Sequence, residues 1–206
     1  MKALLINGSP RERGCTYTAL SELARTLEAE GIETELIQAG ARTTHGCIAC
    51  GKCRETGKCV FDDVVNETAP KLAEADALVI GAPVYYASPA GGAISFMDRL
   101  FHSTGTDMTM KVGASVVSCR RGGNTSSFDV LNKYFTIAGM PIASSQYWNM
   151  VYGSTPEEVR KDFEGLQTMR TLGRNMAFLM KSIALGKAQY GLPEKEKSIV
   201  TSFHHD

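Results

Sequence analysis

The sequence lacks any net charge: 22 lysines and arginines stand against 22 aspartates and glutamates, and the only tight basic cluster is Arg120-Arg121. Binding to a polyanion ordinarily shows as a lysine and arginine excess on one face, so no nucleic-acid partner is expected, and the basic pair would serve a smaller anion. No uninterrupted apolar run approaches the roughly 20 residues needed to span a bilayer, so no membrane partner is expected. Met1 leads at once into the strand-like Ala3-Leu4-Leu5-Ile6, without the basic and apolar regions of a secretion signal, and the expected location is cytoplasmic. Histidine is scarce as well: His45 and His102 stand alone and His204-His205 sit in the tail, which leaves no histidine ligand set. Neither G-x-x-x-x-G-K-[ST] nor G-x-G-x-x-G is present, and no Ser/His/Asp or paired-carboxylate pattern calls for hydrolysis. No internal repeat or low-complexity segment divides the chain.

What is present is a regular alternation of apolar and amphipathic runs over a length that suits one domain. A strand is expected at Lys2–Asn7, a helix from Thr16 to Glu30 and a second strand at Glu33–Gln38. Asp62 or Asp63 would cap a helix ending near Glu74, before a strand at Ala77–Gly81. Then follow a helix at Gly91–Phe101, a strand at Val112–Ser118, a helix at Thr125–Ala138 and a last strand at Pro141–Tyr147. Short apolar strands between helices imply an α/β fold with five parallel strands covered on both faces. A helical pattern runs from the capping box Thr155-Pro156-Glu157-Glu158 to Leu185, with Gly165 and Gly173 as weak points. The expected organisation is a domain over 1–185 with a cysteine-rich insertion at 43–61, followed by a tail over 186–206.

The first strand ends in Asn7-Gly8-Ser9-Pro10-Arg11 and the chain re-enters a helix through Gly14-Cys15-Thr16-Tyr17-Thr18. A strand-to-helix turn of this kind presents free backbone N–H groups and the positive end of a helix dipole, which suits a phosphate. Ser9, Thr16 and Thr18 add hydroxyls and Arg11 or Arg13 a charge, although the same stretch also reads as an ordinary polar turn. After the third strand stand Pro83, Val84, Tyr85 and Tyr86, which offer backbone groups and an aromatic surface, or two tyrosines simply packed at a strand end. After the fourth stand Ser118, Cys119, Arg120, Arg121, Gly122 and Gly123, whose paired glycines would let backbone approach a ligand. All three segments would meet beyond the carboxyl ends of the strands, where open α/β sheets bind ligands.

Gly8-Ser9-Pro10-Arg11 with Gly14-Cys15-Thr16 resembles the FMN-phosphate loop of the NADPH-dependent FMN reductase family. Ala82-Pro83-Val84-Tyr85-Tyr86 resembles that family's segment beside the isoalloxazine ring, and the Ser118–Asn124 stretch its second ring-binding loop. The resemblance implies a flavodoxin-like sandwich with strand order 2-1-3-4-5. It also implies FMN as the centre of the chemistry, with no side chain needed as acid or base. Arg120 or Arg121 would then tune the flavin, contact the phosphate of a nicotinamide donor, or simply face solvent. Cys15 and Cys119 fall in these loops as packing residues without a nucleophilic role.

Cys47, Cys50, Cys53 and Cys59 crowd into thirteen residues, with Gly46, Gly51 and Gly57 allowing the chain to wrap tightly. A leading C-x2-C-x2-C is ferredoxin-like, and Cys59 would supply a fourth ligand. Zinc fits this spacing less well, because its sites usually pair two C-x2-C knuckles across a longer gap; reduced thiols or air-formed disulfides without metal are a third reading. The motif resembles that of iron–sulfur flavoproteins, the family branch with a [4Fe-4S] cluster beside FMN, and the resemblance covers roughly residues 1 to 182. It implies an oxidoreductase that takes electrons from NAD(P)H or ferredoxin and reduces a small acceptor such as a quinone or free flavin. It also implies a homodimer or homotetramer in which Trp148 or the tail covers the flavin. The rivals are a non-enzymatic electron carrier and a zinc-stabilised binding module on the same scaffold.

Overall fold

A computed structural model describes residues 1–43, 45–197, 199 and 201; the histidines His204 and His205 lie outside the described residues. The chain winds β1 (Lys2–Asn7), α1 (Cys15–Ala29), β2 (Glu33–Gln38), a short α2 (Lys52–Thr56), α3 (Val64–Glu74), β3 (Ala77–Tyr85), a two-residue β4 (Ser88–Pro89), α4 (Gly91–Ser103) and β5 (Val112–Cys119). It continues through α5 (Asn124–Ile137), β6 (Met150–Tyr152), α6 (Pro156–Val159) and the long α7 (Phe163–Tyr190).

The apolar strands explain the layering. Successive side chains on a strand point to opposite faces, so Leu4 and Ile6 of β1 join one buried cluster while Ala3 and Leu5 join another. The first cluster is closed by Leu72 of α3, Phe96 and Leu100 of α4 and Phe135 of α5. The second is closed by Leu20 and Leu23 of α1 and Leu172 and Met176 of α7. A strand with two buried faces has no solvent side, which is why β1, β3 and β5 read as continuous apolar runs.

The sheet order is β2-β1-β3-β5-β6, all parallel, as expected for the five main strands. The sixth strand, β4, pairs antiparallel with the carboxyl end of β3 and leaves the parallel order unchanged. Asp63 caps α3 by accepting from Val65 N at 3.0 Å.

Two expectations are corrected. The last strand does not occupy Pro141–Tyr147. Ile142 bridges Gly113 and Met150 pairs with Val117, so β5 advances four residues while the opposing chain advances eight. The excess loops out around Ser145, whose Oγ lies 2.6 Å from Tyr147 O and 2.7 Å from Asn149 Oδ1, and the turn leaves Tyr147 and Trp148 exposed. The helix from Thr155 to Leu185 is likewise two helices. Thr155 caps α6, accepting from Glu158 N at 3.3 Å. Asp162 then caps α7, one carboxylate oxygen accepting from Gly165 N at 2.9 Å and the other from Tyr152 N at 2.7 Å. Helix α7 runs on to Tyr190. Gly173 is a point of close approach, where a Cβ would stand 2.8 Å from Thr26 Cγ2.

Candidate functional site

The carboxyl edge of the sheet opens into a cleft. Its first wall is the β1–α1 loop, held by buried polar residues: Asn7 Nδ2 donates to Gln38 Oε1 at 2.6 Å and to Glu12 O at 3.0 Å, and Gln38 Nε2 donates to Ser9 O at 2.6 Å. Gly8 N donates to Gly81 O at 2.8 Å, tying the loop to β3. Gly14 takes the N-cap position of α1 with no side-chain cap and no acidic residue in the first turn. The leading amides and the positive helix end therefore stand beside Ser9, Arg11, Cys15 and Thr16, all of which line the cleft. Across the floor, Thr16 Oγ1 and Ser118 Oγ are 2.8 Å apart and join α1 to the end of β5.

Pro83, Val84 and Tyr85 from β3, Ser118 from β5 and Arg120 just beyond its end form the opposite wall. Beyond Tyr85 the chain turns through Tyr86 and Ala87, both in the left-handed region with φ of 51° and 57°. A non-glycine residue there costs of order 1–3 kcal/mol, and such strain clusters at ligand-binding turns. The turn is held by Ser126 Oγ, which donates to Ala87 O at 2.7 Å, and by Gly123, where a Cβ would sit 2.6 Å from Ala87 Cα. Gly123 thus makes room for the β3–β4 hairpin. Gly122, Gly123 and Arg121 are outside the cleft lining, Gly14 serves as the cap position, and Tyr86 projects fully into solvent. Tyr17 and Thr18 border a separate groove with Glu22 and Arg25, and Thr18 Oγ1 donates back to Gly14 O at 3.1 Å.

Sequence reasoning missed Gly153 and Ser154, which complete the lining, because the last strand was expected upstream of them. It assigned no ligand role to Cys119, which also lines the cleft. Burial pushes both the Cys15 and Cys119 thiols up, which favours the neutral thiol in each.

The cysteine loop builds a second site on α4. Ala49 and Gly51 adopt left-handed backbone before α2 and Gly57 after it, so the chain doubles back tightly. Cys47, Cys50, Cys53 and Cys59 consequently line one pocket with Arg99, His102 and Ser103 of α4. Cys59 is fixed from both sides, its N donating to Asn66 Oδ1 at 2.9 Å and its O accepting from Asn66 Nδ2 at 3.0 Å. Arg99 is fully buried, pairs bidentately with Asp63 at 2.7 and 2.9 Å, and donates from Nε to Cys59 Sγ at 3.2 Å. His45 stacks on Phe61 at 4.3 Å between ring centroids. All four thiols are free, and among the described residues no three Cys, His, Asp or Glu side chains converge on one point as a single ion requires. Four cysteines lining one pocket are the donor set that a [4Fe-4S] cluster uses. The buried Ser103 Oγ, without a partner among the described residues, and the Arg99 donor at a sulfur suit an acceptor-rich group there.

A family model described as NADPH-dependent FMN reductase matches residues 1–155. An iron–sulfur flavoprotein of Methanocaldococcus jannaschii is 33% identical over 191 residues, spanning 89% of this chain and 99% of that protein. One from Methanosarcina thermophila is 27% identical over 187 residues, spanning 89% and 97%. Among solved structures, RosB with bound 8-demethyl-8-formylriboflavin-5'-phosphate has a TM-score of 0.71 at 17% identity, covering 100% of this chain and 92% of that one. A WrbA-like flavodoxin from Agrobacterium tumefaciens has a TM-score of 0.62 at 16% identity, covering 88% and 98%. At these identities the two structures establish the flavodoxin-like fold alone.

Proposed function

Because the chain belongs to the NADPH-dependent FMN reductase family, on its iron–sulfur flavoprotein branch, we propose that it is a flavin-dependent oxidoreductase with FMN in the carboxyl-edge cleft and a [4Fe-4S] cluster in the cysteine pocket. The observation that carries this reading is the convergence of the uncapped start of α1, Ser9, Arg11 and Thr16 with Pro83–Tyr85 and Arg120 in one cleft. FMN would supply hydride and electron acceptance, and the cluster one-electron exchange, so that one-electron and two-electron partners can be linked.

The chain's own residues bind and orient. The amides at the start of α1, Ser9 and Thr16 would hold the phosphate monoester, with Arg11 adding charge. Pro83–Tyr85 would border the ring, and Arg120 would place positive charge at its edge. The sulfurs of Cys47, Cys50, Cys53 and Cys59 would ligate the irons, with the loop geometry set by Gly51 and Gly57.

NAD(P)H or a ferredoxin is the proposed donor, a quinone, free flavin or similar molecule the acceptor, and the cytoplasm the location. Among the described residues no helix is long and apolar enough to cross a membrane. Exposed Tyr86, Tyr147 and Trp148 support a homo-oligomer that covers the cleft.

Anaerobic purification tests both sites, with acid-released flavin, iron and sulfide measured on one sample. FMN with about four irons and four sulfides per chain is the expected result, and absence of flavin after reconstitution would sink the proposal. Steady-state NAD(P)H oxidation with defined acceptors separates a reductase from an electron carrier, which would turn over little without a protein partner.

A further inference from the structure

The side of the cysteine pocket formed by α4 carries, beside His102, two buried hydrogen-bond donors, Arg99 and Ser103. Arg99 is 1% exposed, and burying a guanidinium so deeply is costly unless its donors are used. Four of its contacts clamp the loop: two to the Asp63 carboxylate, one to Phe61 O at 3.0 Å and one to His45 O at 3.3 Å. These already secure the segment 59–63 to α4. The remaining donor, Nε–H, points instead at Cys59 Sγ, at 3.2 Å. A neutral thiol is a weak acceptor, whereas a metal-bound thiolate is a strong one. One turn along the same face of α4 stands Ser103, 5% exposed, lining the pocket, with no partner for its Oγ among the described residues. A buried hydroxyl left without a partner is a standing cost, relieved when an acceptor occupies the pocket.

We infer that Arg99 Nε–H and Ser103 Oγ–H form a donor pair that sets the reduction potential of the cluster in this pocket, by donating to Cys59 and to another sulfur of the bound group. The inference rests on the proposed [4Fe-4S] occupancy. One-electron reduction of such a cluster adds one negative charge and no proton, the electron coming from the chemical reductant used in a titration. Donors at the sulfurs stabilise the more negative state and raise the potential. Arg99 and Ser103 are positioning and tuning residues, and neither is a ligand to iron.

The test is an EPR-monitored redox titration of the anaerobically purified protein and its variants, with iron and sulfide measured on each. Arg99→Gln removes the cation and its fixed donor. At a fixed potential the ratio of reduced to oxidised cluster should fall at least tenfold, a downward midpoint shift of about 59 mV or more for a one-electron couple. Ser103→Ala should lower the same ratio about threefold. Asp63→Asn, which removes a negative charge from the same clamp, should shift the midpoint upward; a merely structural role for Arg99 would move both clamp variants in the same direction or neither. A loaded Arg99→Gln protein with a ratio within twofold of wild type overturns the inference. If that variant loads no iron, Ser103→Ala decides, and an unchanged midpoint there overturns the donor pair. Wild-type protein that takes up no iron and sulfide after reconstitution would instead refute the occupancy of the pocket, and the inference with it.

Discussion

A tight joint beside the cleft is at Gly81 in β3, where α1 crosses the sheet. A Cβ placed there would stand 2.8 Å from both Thr16 Cγ2 and Leu20 Cδ1. Leu20 Cδ1 ends a rotatable side chain and can move aside, but Thr16 is β-branched and stiff at χ1. In Gly81→Ala, Thr16 must retreat by about 0.7 Å to reach ordinary carbon contact near 3.5 Å. Either it rotates, breaking the 2.8 Å link between its hydroxyl and Ser118 Oγ, or the start of α1 lifts from the sheet. Overpacking of this kind costs about 1–3 kcal/mol, and the lost hydrogen bond about another 1 kcal/mol. The expected destabilisation is therefore about 2–4 kcal/mol, read as the shift in urea unfolding of the flavin-free protein. Because the same displacement moves Thr16 and the leading amides of α1, FMN affinity should weaken at least tenfold, read by quenching of flavin fluorescence on binding. Thr16→Val separates the two effects: it removes the hydroxyl link without crowding and should cost about 1 kcal/mol. A Gly81→Ala protein with unchanged unfolding midpoint and unchanged FMN affinity would refute the argument, since α1 would then be able to adapt without touching the cleft.

Thiol reactivity should follow burial in the metal-free, flavin-free protein at pH 8: Cys47 and Cys50 are exposed and should alkylate first, whereas Cys15 and Cys119, whose thiols burial pushes up, should lag by tenfold or more. Peptide mapping after timed iodoacetamide treatment reads this directly, and equal labelling of Cys15 and Cys47 would contradict it. Glu35 accepts hydrogen bonds from Lys2 and Lys71, which hold its carboxyl below the usual range. A lowered folded-state value contributes stability above the unfolded value near pH 4.5 and loses it as pH falls through the folded value, so the advantage of wild type over Glu35→Gln should be full at neutral pH and vanish in acid. Thermal melts across that range check the sign. Asp162→Ala removes the cap of α7 and the acceptor for Tyr152 N together; it should cost about 2 kcal/mol and weaken FMN binding by loosening the neighbouring Gly153–Ser154 edge. Stability loss with unchanged FMN affinity would show that this edge does not hold the ligand.

The parallel sheet was legible because two-sided burial writes itself into the strands as short apolar runs: β1 and β2 coincide with their expected bounds, and α3 begins behind the expected aspartate cap. The first-loop residues were legible as a group but not individually. Successive helical residues rotate by about 100°, so whether Thr16 or Thr18 faces the cleft depends on how α1 docks, and docking is a tertiary property. The last strand was misplaced for a related reason. Pro141–Tyr147 falls where the alternation of elements calls for a last strand, and only the serine turn at 145, seen against β5, shows that the ladder resumes at Met150.

By itself the sequence determined the layered α/β architecture, the anion-suited first loop and the compact set of four cysteines, because each depends on periodicity or on neighbours within about a dozen residues. The tertiary structure alone decided which side chains share a wall. Gly153 and Ser154 reach the cleft only through the packing of β6 on β5, and Arg99 stands 40 positions from Cys59, the sulfur it meets. Such meetings carry no periodic signal, since they are set by how a helix packs on a sheet rather than by the spacing of residues along the chain.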